Sequence, residues 1–288
     1  MSKKLSYLFK LLDFNIIKLI TCVSGLSLLL STSTANIGVS AGNESKNGNV
    51  EQLKPELSQT QLKQQGKDIS VKVLSTEFLG SAILLKKQDN IYTVLTNAHV
   101  LAADKPPYKI VTPDGKLHKA EVSKTAKLEK YDLGILEFSS TENYAVAVMG
   151  EKPKTGDEVF VFGFPINQEN STVKELTLTT GKIALVLEKA LEGGYQIGYT
   201  NQLDKGMSGG PLLNKQGELV GVNGMHAFPI WDNPSTYIDG TPTTETLHQQ
   251  IIRLSWAVPI KKLNIKHSRS QSQTGNAKGE SLTHNMVK

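Results

Sequence analysis

The sequence predicts an all-β protein made of two antiparallel β-barrels that pack together. Short stretches in which apolar and polar side chains alternate recur along much of the chain, and turn-forming residues separate them. This alternation is typical of antiparallel strands joined by hairpins. The pattern stops once, at Glu151–Asp157, and then starts again over a stretch of similar length. Two such runs of short strands indicate two small barrels.

The first barrel is predicted over residues 67–150 and the second over residues 151–265. The predicted strands of the first run are Ile69–Leu74, Phe78–Leu85, Ile91–Leu95, Tyr108–Thr112, Leu117–Ser123 and Asp132–Phe138. The predicted strands of the second run are Glu158–Gly163, Lys174–Leu178, Gly181–Leu187, Tyr195–Thr200, Pro211–Leu213, Glu218–Asn223 and Leu254–Pro259.

Polar segments flank the two runs. Residues 36–66 are predicted to be a linker that ends in one or two helical turns, with Ser58 as the N-cap. Residues 266–288 consist mainly of Ser, Gln, Asn, Thr and Gly, a composition that buries too little apolar surface to fold. We therefore expect a disordered polar tail.

Residues 1–35 have the pattern of a signal peptide. Lysines precede an apolar run from Leu19 to Leu30, and small residues follow at 33–35. Because a bilayer span needs roughly 20 apolar residues, cleavage and export is the favoured interpretation. The alternatives are a retained N-terminal anchor and lipid attachment at Cys22. We expect no stable membrane span after cleavage.

Charge and cysteine content narrow the possible functions. Removing residues 1–35, with their four lysines and one aspartate, lowers the formal net charge from +5 to +2. No basic stripe with interleaved aromatics is present, so we expect no nucleic-acid partner. Cys22 is the only cysteine, which excludes cysteine catalysis and cysteine-ligated metal in the mature form.

The stretch Lys205–Pro211 sets a serine among glycines ahead of an apolar strand. Small neighbours let a substrate carbonyl approach backbone N–H groups, so Ser208 is a candidate nucleophile. A plain flexible loop is the alternative. A nucleophilic serine needs a base and an orienting carboxylate. His99 directly ends an apolar strand, and Asp132 begins another, where a carboxylate needs a donor.

These three residues strengthen one another. Each alone also fits an ordinary structural position: a satisfied strand-end histidine, or an aspartate in a turn. Together they occur in the order His99, Asp132, Ser208, which is the order of chymotrypsin-like enzymes. The first two belong to the first strand run and the third to the second, which places a triad across a cleft between the barrels.

The segments TNAHV, YDLGIL and GMSGGPLLNKQGELVGVN resemble the trypsin-like serine proteases, and most closely the HtrA-type branch exported by bacteria. The resemblance covers roughly residues 67–265. It implies two antiparallel six-stranded β-barrels, endopeptidase activity on proteins or peptides, and an oxyanion hole made by the N–H groups of Gly206 and Ser208. It implies no metal or organic cofactor, and a periplasmic or extracellular location.

The sequence departs from this family at three places. Met207 stands where pancreatic-type enzymes have aspartate and HtrA-type proteins usually have asparagine, so activation by a freed N-terminus is not expected. About two dozen polar residues follow the second run, and we therefore expect no PDZ domain. Residues 226–250 form a longer insertion than expected, whose aromatics could wall the substrate cleft or form an ordinary surface loop.

Substrate preference and two rival functions stay open. Leu203 matches a position that shapes the specificity pocket and suggests small or medium apolar side chains, whereas His226 allows a preference for glutamate. One rival is a catalytically weak member that binds unfolded or partner proteins. The other is an esterase, which the order of the triad argues against. The sequence specifies no oligomeric state.

Overall fold

The computed structural model describes residues 54–123, 128, 130–167, 169–228 and 235–260. The predicted signal peptide, most of the predicted linker and the polar tail lie outside the described residues. The described chain forms two closed six-stranded barrels of antiparallel strands, as the sequence predicts. Among the described residues, no helix is both long and apolar enough to span a bilayer.

The first barrel closes in the order β1-β2-β3-β6-β5-β4. Its strands are β1 (Ser70–Leu74), β2 (Phe78–Gln88), β3 (Ile91–Thr96), β4 (Tyr108–Val111), β5 (Leu117–Val122) and β6 (Gly134–Ser139). A short helix, α2 (Ala98–Ala102), follows β3. Alternate side chains of these strands fill the barrel interior, with Val71, Val73, Tyr92 and Leu136 fully buried.

The second barrel repeats the arrangement in the order β7-β8-β9-β12-β11-β10. Its strands are β7 (Glu158–Gly163), β8 (Thr177–Val186), β9 (Ile197–Tyr199), β10 (Pro211–Leu213), β11 (Leu219–Met225) and β12 (Ser255–Pro259). A helix, α3 (Glu245–Ile251), precedes β12. The two barrels therefore have equivalent strand orders.

The predicted break between two strands of the second barrel is wrong. The predicted strands Lys174–Leu178 and Gly181–Leu187 are a single strand, β8, that pairs without interruption with β7. The glycine that suggested a turn serves close packing instead, because a side chain at Gly181 would overlap the amide of Asn201. Glycine inside a strand often marks such a close approach.

A helix, α1 (Gln59–Ile69), precedes the first barrel and is longer than the predicted one or two turns. Ser58 is its N-cap as predicted, and Gln61 completes a capping box. Leu62 and Ile69 are buried in an apolar cluster that contains residues of both barrels. Gly66 packs against the ring of Phe162, which a side chain at this position would overlap. The helix therefore belongs to the packed unit and helps fix the two barrels relative to each other.

Candidate active site

His99 and Asp132 meet at the edge of the first barrel. The strand prediction for His99 is wrong in detail: β3 ends at Thr96, and His99 lies in the first turn of α2. Its Nδ1 lies 2.6 Å from Asp132 Oδ2, and its backbone N–H donates to Asp132 Oδ1 at 2.9 Å. The side-chain amide of Asn97 donates to the Asp132 carbonyl at 2.8 Å. One turn of helix thus holds the aspartate from three directions.

The two side chains differ in exposure. The Asp132 side chain is 15% exposed and that of His99 48% exposed. Burial raises the pKa of the Asp132 carboxyl, but the hydrogen bonds and charge of His99 and the hydrogen bond from Tyr195 outweigh it, so the pKa lies below its usual value. Asp132 is therefore ionised at neutral pH and accepts the Nδ1–H of His99, which leaves Nε2 as the ring atom that can take up a proton.

Ser208 lies in a tight turn at the edge of the second barrel, before β10. Gly206 (φ 95°) and Gly209 (φ 86°) both have the left-handed backbone that favours glycine. A side chain at Gly209 would overlap the Ser81 carbonyl oxygen, and one at Gly206 would lie 2.5 Å from the Phe164 carbonyl oxygen. The glycines are needed because this turn packs directly against neighbouring backbone.

The structure brings the turn close to α2. A side chain at Gly80 would lie 2.9 Å from Val100, next to His99, and 3.2 Å from the Ser208 carbonyl oxygen. The Ser208 hydroxyl donates to the Gly224 carbonyl at 3.3 Å, a long hydrogen bond. Within the described part of the chain, no hydrogen bond joins the Ser208 hydroxyl to the His99 ring. Catalytic hydrogen bonds are often long or misaligned before substrate binds.

The backbone N–H groups of the turn differ in whether they have a backbone acceptor. The Met207 N–H donates to the Asp204 carbonyl at 3.1 Å, and the Gly209 N–H donates to the Asn223 carbonyl at 2.8 Å. Neither the Gly206 nor the Ser208 N–H has a backbone acceptor among the described residues. These are the two donors predicted for the oxyanion hole, and the Lys205 N–H likewise has no backbone acceptor among the described residues.

Ser81 holds this turn and was not predicted as a functional residue. It lies in β2 of the first barrel, is fully buried, and its N–H donates to the Ser208 carbonyl at 2.9 Å. Its hydroxyl donates to the Gly206 carbonyl at 2.7 Å and accepts the Phe164 N–H at 2.9 Å. The only signal in the sequence is a hydroxyl inside the apolar run that follows Phe78.

Met207 is held by packing rather than by a polar pair. Its side chain is fully buried in the core cluster of the second barrel. The Asp204 N–H points at its sulfur, 3.5 Å away, and Gly163 lies so close that a side chain there would be 2.7 Å from Met207 Cβ. Burial of an apolar side chain of this size contributes about 1.5–3 kcal/mol. Methionine therefore anchors the turn in the barrel core.

Tyr195 was also missed as a functional residue, because it was assigned to a strand. It precedes β9, and its hydroxyl donates to Asp132 Oδ2. A side chain at Gly224 would overlap that hydroxyl. Two residues earlier, the Gly193 carbonyl accepts the Asp132 N–H at 2.7 Å. A segment of the second barrel therefore contacts the aspartate of the first.

The two candidate specificity residues lie in different surroundings. Leu203 is buried and packs in the cluster that contains Met207, so it lies behind the Ser208 turn. His226 is exposed, directly after β11. Within the insertion 226–250, Phe228 is 65% exposed, whereas Tyr237 packs beside Lys189 and pairs with Leu191. The described aromatics thus divide between the surface and a contact with the β8–β9 connection.

Comparison with known proteins supports the fold. Residues 80–222 match the family model described as trypsin-like peptidase domain. The chain is 30% identical over 142 residues to serine protease HTRA1 of Xenopus laevis, 28% over 151 residues to serine protease Do-like HtrA of Bacillus subtilis, and 28% over 153 residues to serine endoprotease DegS of Salmonella typhimurium. These alignments cover 45%, 51% and 52% of this chain, but only 28%, 33% and 40% of the relatives.

The chain therefore spans well under half the length of these relatives. The family match covers about half of this chain and includes β2 to β6, β7 to β10 and the start of β11. It contains His99, Asp132 and Ser208, and the two barrels that carry them close as separate six-stranded sheets. The chain thus contains a trypsin-like peptidase domain with the chymotrypsin-like fold, similar to the protease domains of HtrA-type enzymes.

Proposed function

We propose that the protein is an exported serine endopeptidase that hydrolyses peptide bonds through His99, Asp132 and Ser208. The observation that carries the proposal is the contact of 2.6 Å between His99 Nδ1 and the largely buried Asp132 carboxylate. An ionised carboxylate that accepts the Nδ1–H of an imidazole fixes the tautomer in which Nε2 is free to accept a proton. Within a trypsin-like peptidase domain, the group that needs this base is the Ser208 hydroxyl.

The first chemical step forms an acyl-enzyme. The Ser208 hydroxyl attacks the substrate carbonyl carbon while His99 Nε2 takes its proton. Asp132 stabilises the imidazolium that forms without taking the proton itself. His99 then gives the proton to the leaving amine, and the peptide C–N bond breaks. Water repeats the sequence on the acyl-enzyme, with His99 again as base and then acid, and releases the free carboxylic acid.

The N–H groups of Gly206 and Ser208 are the proposed donors to the oxyanion. Both belong to the turn that Ser81 and Met207 hold, and neither has a backbone acceptor among the residues described. Donors that are fixed before the reaction need no reorganisation when charge develops on the substrate oxygen. One such donor contributes on the order of 3–4 kcal/mol to stabilisation of the transition state.

Labelling with a fluorophosphonate probe tests this function. The probe reacts only with a serine that is activated as a nucleophile, so we expect it to label the wild type and not Ser208→Ala. His99→Ala should label poorly, because the base is missing. Hydrolysis of an unfolded protein should be lost in both variants, and Ser139→Ala, a change at the exposed end of β6, should behave as the wild type. Turnover that survives Ser208→Ala contradicts the proposal.

A second candidate is a protein that binds unfolded or partner proteins with little catalysis. The observation that favours it is the Ser208 hydroxyl, which donates to the Gly224 carbonyl at 3.3 Å. A hydroxyl held there has to rotate before His99 can deprotonate it. The two candidates differ in the labelling experiment: a binding protein retains an unfolded substrate without labelling or cleavage, and Ser208→Ala does not change its affinity.

Export and substrate preference complete the proposal. Residues 1–35 are proposed to be a cleaved signal peptide, which the intact mass of the secreted protein tests directly. For the substrate, buried Leu203 behind the Ser208 turn favours small or medium apolar side chains, and exposed His226 favours glutamate. Cleavage rates for otherwise identical peptides with Val, Ala or Glu before the scissile bond separate these preferences. His226→Ala should lower only the rate of cleavage after Glu.

A further inference from the structure

The connection between β8 and β9 contacts the candidate aspartate at two points. It leaves β8 at Val186 and includes a 3-10 turn at Glu192–Gly194. The Gly193 carbonyl accepts the Asp132 N–H at 2.7 Å, and the Tyr195 hydroxyl donates to Asp132 Oδ2. Asp132 belongs to the first barrel and this connection to the second, so the contact bridges the barrels.

The Tyr195 hydroxyl completes the hydrogen bonds of the carboxylate. Oδ1 accepts the backbone N–H of His99, and Oδ2 accepts both the His99 ring and the Tyr195 hydroxyl. Because His99 supplies its two donors from one helical turn, Tyr195 is the donor that comes from another element. It limits rotation of the carboxylate about its last bond and keeps Oδ2 directed at the imidazole.

We propose that Tyr195 is a positioning residue of the triad, which acts on His99 through Asp132. The inference rests on the proposed peptidase function. It also explains why residue 224 is glycine, since a side chain there would overlap the Tyr195 hydroxyl. The Gly224 carbonyl is the acceptor of the Ser208 hydroxyl. Tyr195 therefore lies between the acid of the triad and the backbone that contacts its nucleophile.

The insertion 226–250 gives this connection its support. The Glu192 N–H donates to the Thr236 carbonyl, and the Ile238 N–H donates to the Ala190 carbonyl, each at 3.0 Å. Lys189 forms an ion pair of 2.5 Å with Asp239. These contacts make residues 235–243 a strap over the connection. Because the connection leads into Tyr195, the strap supports Tyr195 through it. This is a third possible role for the insertion, beside a cleft wall and an ordinary surface loop.

Tyr195→Phe tests the proposal, with Tyr92→Phe as the matched control. Both changes remove one buried hydroxyl from a ring that stays in place, and Tyr92 lies in the first barrel, where its hydroxyl donates to the Glu142 carbonyl at 2.9 Å. We expect Tyr195→Phe to lower kcat roughly tenfold and leave KM unchanged, since a hydrogen bond to a charged group is lost. Tyr92→Phe should lower Tm and leave kcat unchanged.

Proton NMR supplies a readout that does not depend on turnover. The Nδ1 proton of His99 should give a downfield signal, and in Tyr195→Phe that signal should shift and exchange faster with water than in Tyr92→Phe. A Tyr195→Phe enzyme with kcat within twofold of the wild type and an unchanged signal overturns the proposal. If the wild type has no turnover, the peptidase function fails, and the NMR comparison still decides whether Tyr195 holds the Asp132–His99 pair.

Discussion

Two braces cross between the barrels at the candidate site, and they are built from different kinds of structure. Ser81, in the first barrel, holds the Ser208 turn of the second. Tyr195, in the second barrel, holds Asp132 of the first. Each barrel therefore positions a candidate triad residue that belongs to the other, so that neither half of the site keeps its geometry without the other barrel.

The two braces differ in what supports them. Ser81 lies inside β2, which pairs with β1 on one side and β3 on the other. Tyr195 follows a connection whose support comes from the strap at residues 235–243. A strand paired on both edges opens only with the barrel, whereas a strapped connection can loosen locally. We therefore expect the Ser208 turn to be the more rigidly held of the two, and the contact between Tyr195 and Asp132 to be the one that can adjust.

Among the substitutions that test the two braces, Gly206→Ala should cause the largest loss of kcat. A side chain there meets the Phe164 carbonyl oxygen at 2.5 Å, so the turn must move, and the proposed oxyanion donor moves with it. Loss of one such donor lowers kcat on the order of 10²–10³-fold. Gly156→Ala is the control, because Gly156 has almost the same φ, 96° against 95°, but no atom within 4 Å of the added carbon. Equal losses of kcat in both variants would show that backbone strain alone is responsible.

Ser81→Ala tests the rigid brace directly. The change removes the hydrogen bond to the Gly206 carbonyl and leaves the buried Phe164 N–H without its acceptor, which costs about 1–3 kcal/mol of unfolding free energy. We expect kcat to fall roughly ten- to hundredfold as the turn shifts. Ser255→Ala removes another fully buried hydroxyl, which donates to the Asn201 carbonyl at 2.8 Å.

Ser255→Ala should lower the unfolding free energy by a similar amount while kcat stays at the wild-type value. Denaturant unfolding and steady-state kinetics on the same samples separate the two effects. If Ser81→Ala loses stability but no kcat, the hydroxyl supports the fold and the Ser208 turn holds its geometry through the backbone hydrogen bond and Met207 alone.

The candidate triad could be proposed from the sequence alone, because short motifs and their order contain its three residues. The alternating pattern likewise predicted the two barrels, and the comparisons confirm the trypsin-like fold. His99, Asp132 and Ser208 stay a predicted triad until activity is measured. The capping box at Ser58 shows the same advantage of local signals, since every contact in it lies within four residues.

The braces were not predictable, because their contacts join residues far apart in the chain. Ser81 and Gly206 lie on different barrels, as do Tyr195 and Asp132, and no local pattern marks a serine in a strand or a tyrosine beside one. Gly181 misled the strand prediction for a related reason. Glycine is required there because Asn201, on a neighbouring element, leaves no room for a side chain, and not because the chain turns at this point.

The pH dependence of stability tests the adjustable brace. The pKa of Asp132 lies below its usual value, so its ionised form stabilises the fold above the unfolded pKa of about 4, and this contribution disappears as pH falls through the lower, folded pKa. Between pH 5 and pH 2 the wild type should therefore lose more unfolding free energy than Asp132→Asn. If the unfolding free energies of the two proteins fall in parallel over this pH range, the hydrogen bonds to the Asp132 carboxylate do not stabilise the fold. Tyr195→Phe should lie between the two.

The smallest effect is expected from the strap. Lys189→Ala removes the ion pair with Asp239 and the contact with the Tyr237 ring, both on the surface. Because exposed pairs contribute little and are screened by salt, kcat should fall by about threefold at most at low ionic strength and by less at 1 M salt. Lys119→Ala, which breaks an exposed pair with Glu121 in the first barrel, should leave kcat unchanged at both. The double variant Lys189→Ala, Tyr195→Phe completes the test. If Lys189→Ala lowers kcat in the wild type but not in Tyr195→Phe, the strap and the tyrosine act through one line of contacts leading to Asp132. If the two losses of kcat multiply, the strap acts on the cleft by another route.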